Sequence, residues 1–132
     1  MVALIRALGL HQPDKTPCGQ PVTVAEAHAL LELTREPALS QNGLAAHLRL
    51  EKSSVSRIVS ALEKRGWVVR NRNPKDTRIV QVHLTDAGRE AVTNIAASRQ
   101  AKFEQIFAAI PAGERSAVLA ALGTLIGVIR EV

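Results

Sequence analysis

Apolar positions in this chain recur every three or four residues, switch to every two over one short stretch, and then return to the helical spacing. The clearest case is residues 52–65, where Val55, Ile58, Val59 and Leu62 follow the i, i+3, i+4, i+7 pattern of a helix with one buried stripe. Gly66 ends it, as the residue best able to take the left-handed conformation that closes a helix. A three-residue break, 49–51, separates it from a shorter helix over 41–48, capped by Ser40 and carrying Leu44 and Leu48 on one side. Upstream, Thr23-Val-Ala-Glu26 has the form of a capping box, predicting a helix from there to about residue 36 with Val24, Ala27, Leu30 and Leu31 facing inward and Pro37 as its stop. Residues 2–10 read as a short apolar helix, and the Pro/Gly-rich residues 12–21 as a flexible linker.

Beyond Gly66 the period falls to two. Residues 67–71 and 78–84 are β-prone, with Ile79, Gln81 and His83 alternating with Val80, Val82 and Leu84, and the polar, basic segment 72–77 between them forms turns. Thr85 then caps a long helix over 86–110, Pro111 and Gly113 break it, and a last helix carries Val118, Leu119, Leu122, Leu125, Ile126 and Ile129. Two short helices in succession followed by a hairpin make a winged helix-turn-helix: a mainly α fold with a small β-hairpin (α+β). The expected organisation is an N-terminal helix and linker over 1–22, the winged helix-turn-helix over 23–89, and C-terminal helices over 90–132. Those last helices are too apolar to be covered by one copy of a small domain, so a homodimer is expected, with Phe103, Ile106, Phe107, Ile110, Leu122, Leu125, Ile126 and Ile129 as interface or core residues.

Charge sharpens this picture. The 132-residue chain carries a net +5, but residues 49–89 hold ten basic and four acidic side chains, a local +6 that leaves −1 elsewhere. A basic segment in a near-neutral remainder suits a polyanion, although solvated faces also gather charge. No apolar run approaches the roughly 18–20 residues that span a bilayer, and residues 1–9 lack the h-region of a signal peptide, so a cytoplasmic, nucleoid-associated protein without a membrane partner is expected. Cys18 is the single cysteine, which excludes an internal disulfide and a multi-thiolate zinc finger. No nucleophile with a neighbouring base, paired carboxylates, phosphate loop or dinucleotide fingerprint is present, so neither an enzyme nor a cofactor is expected.

In a helix-turn-helix the start of the second helix enters the major groove of duplex DNA, making Lys52, Ser53, Ser54, Ser56 and Arg57 the candidates to reach base edges. Serines let the backbone approach the groove floor, and Arg57 is suited to a bidentate contact with guanine; Lys52 and Ser54 are equally suited to phosphate. Ser40 and Gln41, opening the preceding helix, can offer side chains and backbone N–H groups to a phosphate. Arg72, Lys75 and Arg78 place positive charge on the hairpin, where a narrow minor groove would attract it. Lys64, Arg65 and Arg72 are expected to meet phosphate or solvent.

The block from Leu44 to Gly66, with Leu62-Glu-Lys-Arg-Gly66 at its end, then Arg70, Asp76-Thr-Arg78 and Leu84-Thr-Asp-Ala-Gly88, resembles the multiple antibiotic resistance regulator (MarR) family in order and spacing. The resemblance runs from about Thr23 to the end of the chain. It implies a two-fold dimer with intertwined terminal helices, repression of nearby genes, release by a small-molecule effector or an oxidant, and an effector pocket between the DNA-binding and dimerising parts; such a dimer would read a palindromic operator. It also implies that Arg78 is the minor-groove residue, with Asp76 orienting it and Arg70 expected as a partner of Asp76. Cys18 and His28 are the candidate thiol and effector sensors, His28 as a pocket or core residue. A metal site from His11, Cys18, Glu26 and His28 matches no ligand spacing, so none is expected. The competing reading is a winged-helix protein-interaction module that does not bind DNA; the local charge weighs against it.

Overall fold

The core is built on the stripe that was clearest in the sequence. A computed structural model describes residues 1–132, which form two compact units, Met1–Ser98 and Arg99–Val132. In the first, helices α1 (Val2–Leu8), α2 (Val24–Arg35), α3 (Gln41–Leu48) and α4 (Lys52–Lys64) accompany strands β1 (Leu39–Ser40), β2 (Val68–Arg72) and β3 (Val80–Leu84). Val55, Val59 and Leu62 of α4 pack with Leu30 and Leu33 of α2, Leu44 of α3, Val68 of β2 and Val82 of β3, all essentially inaccessible to solvent. Ile58 joins the edge of this cluster with Trp67, Leu84, Val92 and Ile95.

On α2 the buried face differs from the expected one. Ala29, Leu30 and Leu33 are buried together with Glu26, whereas Val24, Ala27 and Leu31 are half-buried. The buried line runs through a charged residue, which an apolar pattern passes over. Glu26 can be there because its carboxylate is used: it accepts from the Thr23 N–H at 3.2 Å while the Thr23 hydroxyl accepts from the Glu26 N–H at 3.0 Å, and Arg65 stands 3.6 Å away.

The sheet has three strands in the order β1-β3-β2, both pairings antiparallel. The hairpin register pairs Val68 with Leu84 and Arg70 with Val82. The third strand, two residues long, pairs Leu39 with Val82 and Ser40 with Gln81; it is too short to show a period.

Residues 12–21 are held more firmly than a flexible linker. Thr16 is buried and its N–H donates to the Gln20 carbonyl at 3.0 Å, and the Gln20 side-chain amide donates to the Ser98 hydroxyl at 2.6 Å.

Helix α5 (Asp86–Ala109) starts in the first unit, where the Thr85 hydroxyl caps it by accepting from the Gly88 N–H at 3.0 Å. In the second unit a 3-10 turn (Ala112–Glu114) leads to α6 (Arg115–Glu131). Arg115 closes the end of α5, donating to the carbonyls of Ile110 at 3.0 Å and Ala108 at 3.1 Å with its guanidinium over the Phe107 ring. No residue of α6 is buried. Contrary to expectation, Ala112–Glu131 is long and apolar enough, by length and composition, to cross a bilayer. Ser116, Gly123, Thr124 and Gly127 interrupt any unbroken apolar run there, yet they are small and uncharged and barely lower the average.

Candidate nucleic-acid interface

Burial of Val55, Val59 and Leu62 rotates the opposite face of α4 outward, so Lys52, Ser53 and Arg57 are exposed and Ser54 and Ser56 half-buried. All five predicted groove residues therefore lie in the first six residues of α4, with the two long cations free to extend. Ser60, also on the serine face, is engaged: its hydroxyl accepts from Arg70 at 2.9 Å.

Arg70 does not meet Asp76 as expected. It donates to the Ser56 carbonyl at 2.7 Å and to Ser60, and lies 3.7 Å from Glu63. Strand alternation explains the difference: Arg70 is two residues from buried Val68 and so points to the same side, onto α4, and away from the tip of the hairpin. It ties β2 to the middle of the candidate recognition helix. Arg65, likewise expected at phosphate or solvent, is a clasp inside the unit: it donates to the Pro21 carbonyl at 3.1 Å, faces Glu26 and covers the Trp67 ring at 5.0 Å.

Within the wing, Arg72 donates to the Thr77 carbonyl at 2.7 Å and the Lys75 N–H to the Asn73 side chain at 2.8 Å, which folds the tip on itself. Asp76 grips Arg78 by two parallel bonds of 3.0 Å and accepts from its backbone N–H at 3.1 Å. The Arg78 side chain nevertheless remains 90% exposed. The Arg78 side-chain and backbone bonds hold the Asp76 carboxyl below its ordinary range, and Asp76 holds the Arg78 guanidinium above its own. A depressed carboxyl value means the pair is complete at neutral pH and comes apart only as pH falls through that lowered value.

Ser40 caps α3, its hydroxyl accepting from the Gly43 N–H at 2.9 Å, which leaves its O–H free to donate. The Gln41 side-chain oxygen is buried without a partner. Ser40, Gln41, Asn73, Arg78 and Gln81 line one cleft of about 480 Å³, which brings the α3 start and the base of the wing together. His28 is exposed on α2, not a core residue, and half-buried Cys18 has its thiol 2.9 Å from the Thr16 hydroxyl. Phe103, Ile106, Phe107, Leu122, Leu125, Ile126 and Ile129 are all exposed, between 37% and 61%, and Ile110 is half-buried, so none forms a core within the chain.

The MarR family model matches residues 20–79, from the linker to the second wing strand. The HTH-type transcriptional regulator ML2140 of Mycobacterium leprae, uncharacterized by its name, is 30% identical over 76% of this chain and 66% of its own length. The chain spans 55% and 53% of two further curated relatives, about half their length. Among solved structures, Streptococcus pneumoniae FabT in complex with DNA superposes with a TM-score of 0.73 at 21% identity, covering 98% of this chain and 88% of that one. The PcaV transcriptional regulator of Streptomyces coelicolor in complex with its natural ligand gives a TM-score of 0.70 at 25% identity, covering 96% and 86%. With the buried stripe of α4, the Asp76–Arg78 wing and the Thr85–Gly88 helix start in place, the chain belongs to the MarR family.

Proposed function

We propose that this protein is a non-catalytic transcriptional regulator that binds a palindromic operator in double-stranded DNA as a homodimer, represses the genes beside it, and is released by a small-molecule effector. The observation that carries the reading is the exposed Lys52–Arg57 face of α4 in the same compact unit as the exposed Arg78 of the wing. A helix face for the major groove and a held guanidinium for the adjacent minor groove form a two-groove reader. The solved structure of FabT with DNA supports the duplex, and that of PcaV with its natural ligand supports the effector. An effector releases such a protein only by binding the DNA-incompetent arrangement better than the competent one.

The test is fluorescence anisotropy on a duplex that the wild-type protein selects from a randomised pool, against a scrambled duplex of equal composition. Salt-sensitive, preferential binding to the selected duplex is expected; equal, salt-insensitive and negligible binding to both would reject the reading. Arg57→Ala should cost about 1–3 kcal/mol on the selected duplex and flatten preference at one base pair per half-site. Arg78→Ala should weaken binding while leaving the melting temperature within about 1 °C of wild type, because the side chain is 90% exposed and its only hydrogen bonds are to Asp76. An Arg57→Ala variant that keeps every base preference would show that α4 docks in another orientation.

A further inference from the structure

Three helices of the first unit end in the same closure. At the ends of α1, α3 and α4, a residue in the left-handed region donates its N–H three residues back, and the next residue donates five residues back. The bonds are Gly9 N–H to Arg6 O at 3.0 Å with Leu10 to Ile5 at 3.1 Å, Arg49 to Ala46 at 3.2 Å with Leu50 to Ala45 at 3.1 Å, and Gly66 to Glu63 at 2.9 Å with Trp67 to Leu62 at 3.1 Å. Two of the three left-handed positions hold glycine, at φ 73° and 76°; the third holds Arg49 at φ 53°, the chain's one non-glycine residue with positive φ. A side chain there crowds the following carbonyl, and glycine would avoid the strain. Non-glycine residues persist in such conformations where the side chain is wanted.

The Arg49 side chain bonds to nothing in the fold. It is exposed and enters none of the chain's ion pairs or side-chain hydrogen bonds, unlike Arg65, Arg70, Arg72, Arg78, Arg89 and Arg115. Its place is the turn between α3 and α4, three residues before Lys52. In helix-turn-helix docking the first helix crosses the phosphate backbone and the start of the second enters the groove, so the turn joining them lies at the groove's rim. Glu51, the residue capping α4, makes no side-chain cap bond, and that helix start is left open beside the arginine.

We infer that Arg49 is a phosphate anchor at the rim of the major groove, a DNA contact placed at the cost of a strained helix end. The inference rests on the DNA-binding reading above. It predicts that stability and binding move in opposite directions at one position. Arg49→Gly relieves the strain and should melt no lower than wild type, and up to a few degrees higher. The same variant should bind both the selected duplex and calf-thymus DNA about tenfold more weakly, as expected for one charge-assisted contact, with the slope of log K against log salt reduced by about one. Arg49→Lys should keep the wild-type slope, and Arg49→Gln should lose it as the glycine variant does. Wild-type slope and affinity in Arg49→Gly would overturn the inference, as would weaker binding accompanied by a lower melting temperature. Failure of the wild-type protein to select or bind any duplex would instead defeat the DNA-binding reading, and this inference with it.

Discussion

Gly88→Ala is expected to destabilise the protein by about 3 kcal/mol, lowering the melting temperature by about 10 °C. Gly88 is buried in the first turn of α5 with no room above its Cα. A methyl there would overlap the Trp67 carbonyl oxygen and stand 2.9 Å from the carbonyl carbon and 3.2 Å from Leu84 Cδ2. The obstacle is main chain and cannot rotate aside. The Trp67 carbonyl accepts from the Thr85 N–H at 3.0 Å, and the Thr85 hydroxyl donates to the Gly66 carbonyl at 2.6 Å while capping Gly88. These bonds weld the start of α5 to the base of the wing, so relief of the clash must shift α5, lose the cap, or bend β2 where Val68 enters the core. Calorimetry or urea unfolding reads the effect. A variant that melts within about 1 °C of wild type would mean that the junction has slack which the tight approach denies.

The same junction shows how far the sequence could be read. Leu84-Thr-Asp-Ala-Gly88 was legible as a capped helix start, and the α4 stripe as a core face, because both are local patterns: a cap and a period. Ser40 as the cap of α3 and the end of α4 at Gly66 were legible for the same reason. What escaped depends on where a side chain goes after the chain has folded. Arg70 was expected at Asp76, six residues away along the hairpin, when its parity with Val68 sends it to α4. That parity was present in the sequence and was the usable signal. The burial of Glu26 was passed over because, beyond the Thr23 capping box that the sequence does show, its carboxylate faces a distant Arg65 that no local window contains. The two-residue β1 has no period to detect. The left-handed conformation of Arg49 escaped because it is a backbone angle, although its place between two short helices, where glycine is common, was itself a clue.

Leu122→Glu should convert a two-chain assembly into single chains of 14.2 kDa and reduce affinity for the palindromic duplex by about a hundredfold or more. The argument begins with exposure. Leu119, Leu122, Leu125, Ile126, Val128 and Ile129 of α6 are each at least 37% exposed, and Val2, Leu4 and Ile5 of α1 are exposed in the other unit. An apolar surface of that extent needs a cover, and the homodimer proposed above supplies one with the same composition and no further component. A glutamate at Leu122 then places a carboxylate from each copy in that surface, where an unpaired buried charge costs several kcal/mol. The fold of each chain should survive, because Leu122 is 44% exposed and contributes to no core cluster. Far-ultraviolet circular dichroism should therefore be unchanged while light scattering coupled to size exclusion reports the smaller mass. DNA binding falls for a separate reason: one reading unit loses the high effective concentration that its linked twin provides at the second half-site, so the selected palindrome should suffer far more than a single half-site duplex. A wild-type protein that elutes as one chain, or a Leu122→Glu variant that keeps both its two-chain mass and its preference for the full palindrome, would show that α6 is covered in some other way.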